Sequence, residues 1–139
     1  MGAASVVRAG DRPVARPVSA FGLLPRAGVV PMSVSEFVAR GVWDSRSLEG
    51  RRVELTGFVV HADAADYVAR LVITCCAADA EPMKVALSGG MAGSLPDDQW
   101  VRVTGVLRPG SASVGNGYTP TLAAASLTTV AAPGDPYEH

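Results

Sequence analysis

The sequence predicts an all-β chain, a five-stranded OB-like small barrel with one short N-terminal helix. Three observations carry this expectation. From Arg51 onward, apolar and polar residues alternate in five separate runs, as strands with one buried face require. Connectors rich in Gly, Pro, Ser and Asp divide these runs. One motif also occurs twice, as VELTGFV (53–59) and VRVTGVL (101–107), each time with a glycine in mid-strand. Such glycines mark bends or bulges, which let a strand curl as a small barrel demands. An open five-stranded sandwich is the alternative arrangement.

The elements follow in chain order. Residues 1–31 contain Pro13, Pro17, Pro25 and Pro31 among Ala, Arg, Val and Gly, without a period of two or 3.6. They read as a flexible Pro/Ala/Arg-rich arm, and residues 32–139 as a single OB-like domain. Ser33 and Glu36 have the spacing of a capping box. Val34, Phe37, Val38 and Val42 then share one helical face, with Gly41 expected to end the helix. Strands are expected over 51–60, 67–76, 83–87, 99–108 and 119–130. Phe37, Phe58 and Trp100 are expected in the core, Trp43 packed at the helix end, and Tyr137 in the tail.

Composition narrows the function. The 139 residues have room for one modest core. Lys and Arg number 12 against 13 Asp and Glu, a net charge of −1, and only 6% of residues are aromatic. A protein that neutralises many phosphates carries a basic excess, so nucleic acid is not an expected partner. Tyr67, Arg70 and Lys84 are the few groups that the second and third strands offer to such a ligand. No apolar stretch approaches the ~20 residues of a membrane span, and the N-terminus has no apolar core of a signal peptide. No G-x-S-x-G, P-loop or G-x-G-x-x-G pattern is present, so no enzyme activity is expected.

The chemistry concentrates in ITCCAADA (73–80), which holds both cysteines of the chain. In an unbroken strand, Cys75 would share a face with Leu71 and Ile73, and Cys76 with Arg70 and Thr74. Three readings stay open. The pair can be core filler, since isolated cysteines behave as small hydrophobes. It can be a metal clamp, with Zn²⁺ as the possible ion and Asp79 as third ligand; His61 is a weaker candidate. It can also be a strained, easily reduced vicinal disulfide. Arg70, on the face of Cys76, would favour its thiolate. His139 reads as a solvent-exposed terminal residue.

LEGRRVELTGFVV, VARLVITCCAADAEPMKVAL, DDQWVRVTGVL and the closing PGDPYEH, in this order, resemble the YcgQ-type family of permease subunits. The Cys-Cys-x-x-Asp-Ala element, here Cys75, Cys76, Asp79 and Ala80, is the most specific part of the likeness. The resemblance implies an OB-like soluble domain that follows N-terminal membrane helices and partners a permease. It implies Cys75, Cys76 and Asp79 as site residues and does not require His61. Because residues 1–139 contain no such helix, membrane association is expected through a partner or an anchor outside them. The expected function is a non-enzymatic accessory domain of a membrane permease system, binding a metal or thiophilic solute. A stand-alone thiol redox or metal-binding protein is the alternative, and an OB-type nucleic-acid module the third.

Overall fold

The computed structural model describes residues 28–73 and 81–138. Within them the order is β1 (Val30–Pro31), α1 (Val34–Trp43), β2 (Arg52–Ala62), β3 (Ala65–Val72), β4 (Glu81–Ser88), β5 (Trp100–Leu107), β6 (Thr121–Thr129) and β7 (Tyr137–Glu138). β2 pairs with β5, β5 with β6, β6 with β4, β4 with β3, and β3 again with β2. Five strands thus form a ring in which each has two neighbours. β1 and β7 are short parallel additions to β2 and β3. This is the all-β arrangement with one short helix that the sequence predicts.

The repeated motif explains how the ring turns. Its two copies pair antiparallel with each other, Val53 opposite Gly105 and Gly57 opposite Val101. Each glycine therefore faces the valine that opens the other copy. At both glycines a neighbouring main chain passes close. A Cβ added to Gly57 would overlap the Ala69 carbonyl, and one added to Gly105 would overlap that of Ala123. The ladder between β5 and β6 also shifts register between Thr104 and Gly105, where Ser126 and Ala124 are the successive partners and Ala125 is the extra residue. Beyond Gly57, β2 exchanges one partner for another: Phe58 pairs with Trp100 on one side and Ala69 on the other.

Alternation then fills the interior. Val53, Leu55 and Val59 of β2 meet Val101 and Val103 of β5, Val68 of β3, Val85 of β4 and Leu122 of β6. α1 closes one side of this core with Val34 and Phe37, both fully buried. Complete burial of a side chain like Phe37 contributes about 1.5–3 kcal/mol. Ser33 caps the helix as expected, accepting the Glu36 N–H at 3.0 Å. The Glu36 carboxylate, however, accepts from Arg40 Nε at 2.8 Å.

Several local expectations change. The helix runs through Gly41 to Trp43, with Asp44 as its C-cap. Gly41 serves packing instead, since a Cβ there would stand 3.2 Å from the Pro120 side chain. Trp43 does not pack against the helix end; it is 81% exposed. Phe58 and Trp100 are only partly buried and meet edge to face, 5.5 Å between centroids, outside the core cluster. Alternation puts them on the side of the sheet opposite Val59 and Val101. Tyr137 lies in β7 beside Leu71. Regular pairing also starts before residue 32: Val30 is buried and pairs with Val53. No helix among the described residues is long and apolar enough to cross a membrane.

The close approaches generate a prediction. Gly57→Ala and Gly105→Ala should each destabilise by about 1–3 kcal/mol, because backbone must shift to admit one methyl group. Gly134→Ala, where a Cβ meets nothing within 4 Å, is the neutral control. Urea unfolding measures all three, and neutral outcomes at positions 57 and 105 would contradict the crossings.

Candidate functional site

The sequence-predicted ligands Cys75, Cys76 and Asp79 lie outside the described residues, in the segment joining β3 to β4. Its flanks are firmly placed. Val72, the last residue of β3, pairs with Glu81, the first of β4. The Ile73 N–H donates to the Glu138 carbonyl at 2.8 Å, so the C-terminal strand borders the beginning of the cysteine segment.

Glu138 joins this border to α1. Its carboxylate accepts from the N–H groups of Val34 at 2.8 Å and Ser35 at 2.9 Å. These are donors at a helix start that no turn of the helix can satisfy. The positive end of the helix dipole further favours a carboxylate there. Arg70 approaches the same carboxylate at 3.9 Å. Its guanidinium also donates to the carbonyls of Pro136 at 3.1 Å, Thr56 at 3.3 Å and Tyr137 at 3.2 Å, and lies 5.2 Å from the Trp100 ring centroid. A planar fork of five donors suits such a ring of acceptors. The charge expected to activate Cys76 therefore organises the C-terminal segment. Glu138 gives no advance signal in the sequence, because a two-residue strand has no periodicity.

His61 has a different surrounding from that of a metal ligand. It stands beside the tight β2–β3 turn, where Asp63 and Ala64 both have positive φ, 51° and 62°. Its Nε2 is 2.9 Å from the Ala92 carbonyl and 3.5 Å from Asp66 Oδ1, and its Nδ1 is 3.0 Å from Asp97 Oδ1. Both ring nitrogens face acceptors, so the doubly protonated ring satisfies them best. A metal ligand instead needs a free imidazole lone pair. The Ala92 hydrogen bond, followed by the carboxylates of Asp97 and Asp66, raises the His61 pKa above its ordinary 6.5, while partial burial opposes the rise. Among the described residues, no group of three or more His, Cys, Asp or Glu side chains could hold a metal.

The outer face of β3 and β4 carries a pocket of about 320 Å³ lined in part by Asp63, Tyr67, Lys84, Asn116 and Thr119. The Lys84 ammonium lies 4.5 Å from the Tyr67 ring centroid. The Asn116 side chain is spent on its own loop, accepting from the Ser113 and Thr119 N–H groups and donating to the Ser111 carbonyl. Tyr67 and Trp100 thus each already carry a cation, whereas Trp43 and Tyr118 are exposed.

Two tests follow. Glu138→Ala should destabilise by about 2–3 kcal/mol, since two helix N–H groups lose a charged acceptor; a loss below about 0.5 kcal/mol would show that the cap is replaceable. His61 should titrate by NMR with a midpoint above 6.5. Because the folded value is the higher one, its contribution to stability is full below the unfolded pKa and disappears as pH rises through the folded value. His61→Gln should flatten that part of the stability–pH curve, and an unchanged slope would remove the clasp from the account.

Among curated proteins, no sequence matches this chain. The profile of the family described as the DUF1980 C-terminal domain matches residues 44–139. That span begins at the residue capping α1 and includes the five-stranded ring, the cysteine segment and Glu138. It covers more than half of the chain, which therefore belongs to the DUF1980 C-terminal domain family.

Proposed function

We propose that this chain is a non-enzymatic accessory domain of a membrane permease system, in which Cys75, Cys76 and Asp79 bind a soft metal ion or another thiophilic solute. The observation that carries the reading is the pairing of Val72 with Glu81. It confines both thiols and the carboxylate to a short connection whose two ends are held together by a strand ladder. Such a connection keeps soft donors near one another at little cost in chain entropy. Two thiolates with a carboxylate suit Zn²⁺.

Two further features support it. His61 has both ring nitrogens committed to acceptors, which leaves the cysteine segment as the source of ligands and provides no free imidazole base at that position. The link to a permease rests on the resemblance to YcgQ-type subunits in the Leu-Thr-Gly, Cys-Cys-x-x-Asp-Ala and Asp-Gln-Trp-Val elements. Nucleic-acid binding is disfavoured by the occupied faces of Tyr67 and Trp100 and by the net charge of −1.

Thiol-labelling kinetics on the reduced protein test the reading. Zn²⁺ should slow modification of Cys75 and Cys76, and Asp79→Ala should weaken that protection roughly tenfold. Cys75→Ser and Cys76→Ser assign the two rates. Thiols that label equally fast with and without Zn²⁺ would exclude a zinc site, and thiols inert in both conditions would make the pair packing material.

A further inference from the structure

β6 has two strand neighbours at its start and one thereafter. Thr121, Leu122 and Ala123 pair with Ala86, Leu87 and Ser88 of β4, while the other side of the strand follows β5. From Ala124 to Thr129, β5 is the only paired strand among the described residues, with Ser126 opposite Thr104, Leu127 opposite Val103 and Thr128 opposite Arg102. The Val130 N–H donates to the Trp100 carbonyl at 2.9 Å. Antiparallel bonds alternate, so Thr128 and Ser126 also turn their main-chain groups towards β5. Leu127 and Thr129 turn theirs towards the open edge. Ala125, Ser126, Thr128 and Thr129 are exposed.

Sheet edges are ordinarily blunted by charge, proline or a bulge. The stretch TLAAASLTTV (121–130) contains no charged residue and no proline. Its bulge at Ala125 precedes the stretch 126–129, which pairs with β5 in unbroken register. We propose that this edge joins two copies of the chain, β6 pairing antiparallel with its counterpart about a two-fold axis at Thr128. Leu127 then stands opposite Thr129 of the partner subunit, and each exchanges its N–H and C=O with the other.

Charge selects a second copy as the occupant. An edge without charged side chains sets no like charges against each other when it meets itself, and a net charge of −1 adds little long-range repulsion. It equally offers nothing to steer an acidic or basic peptide. The pairing would extend the sheet through β5 and β6 of both copies, while leaving β3, β4 and the cysteine segment on other strands of the ring.

Sedimentation of the full chain from micromolar to near-millimolar concentration tests this. The wild type should form dimers. Thr129→Pro should weaken them at least about tenfold, because the proline removes an outward N–H without breaking the β5 ladder. Thr128→Lys should be monomeric alone, with lysines opposed at the axis beside Arg102, and should form dimers when mixed with Thr128→Glu. Circular dichroism confirms that each variant is folded. A wild type that stays monomeric throughout would overturn the proposal. So would dimers insensitive to both substitutions, or a monomer whose Leu127 and Thr129 amides are protected from exchange, which would mean that another segment of the same chain covers the edge.

Discussion

At Gly57 and Gly105 a carbonyl of the neighbouring strand occupies the space where any other residue would place its Cβ, and the ring depends on those two close approaches. A strand in a flat sheet keeps its neighbours along its whole length. β2 does not: up to Phe58 it is paired with β5, and from Phe58 with β3. The close approach at Gly57, which leaves no room for a Cβ, permits the exchange, and the ladder between β5 and β6 shifts register beside Gly105. The parallel seam between β4 and β6 contains three residue pairs, Ala86–Ser88 against Thr121–Ala123. So short a seam is held in register chiefly by the longer antiparallel ladders around it, and hence by the two close approaches.

Glu138 plays the corresponding part for the chain ends. A carboxylate that is only 9% exposed is costly unless its oxygens are bonded and its charge is offset. Here two helix N–H groups, the helix dipole and the Arg70 guanidinium meet that requirement together. The same residue places its carbonyl on Ile73, immediately before the cysteine segment. α1, β3 and β7 are thereby tied at one point, although Val34 and Glu138 are separated by most of the chain. Arg70 belongs to this structural unit as an anchor of the C-terminal strand.

A third, separate clasp forms at His61. His61 fastens the β2 end to the loop before β5 through Ala92 and Asp97, with Asp66 alongside. Each contact consumes a ring nitrogen that a metal would need. The described flanks of the cysteine segment are held by the Val72–Glu81 ladder and the Ile73–Glu138 bond. His61 therefore acts on local stability at its end of the ring.

By itself the sequence determined the class of fold, because period-two alternation and the twice-used Leu/Val-Thr-Gly motif are local properties that burial on one face imposes. Ser33 was legible as an N-cap for the same reason: its hydrogen bond spans three residues. Gly41, Trp43 and Glu138 were not legible. Gly41 depends on Pro120 arriving just before β6, Trp43 on no described residue covering it, and Glu138 on two strands and a helix converging. Likewise, the residue types of His61 and Arg70 suggested a ligand and a charge, and only the fold supplied their partners at 92, 97, 136 and 137. Local pattern encodes which face is buried; which distant carbonyl or carboxylate meets a given donor is set only when the ring closes.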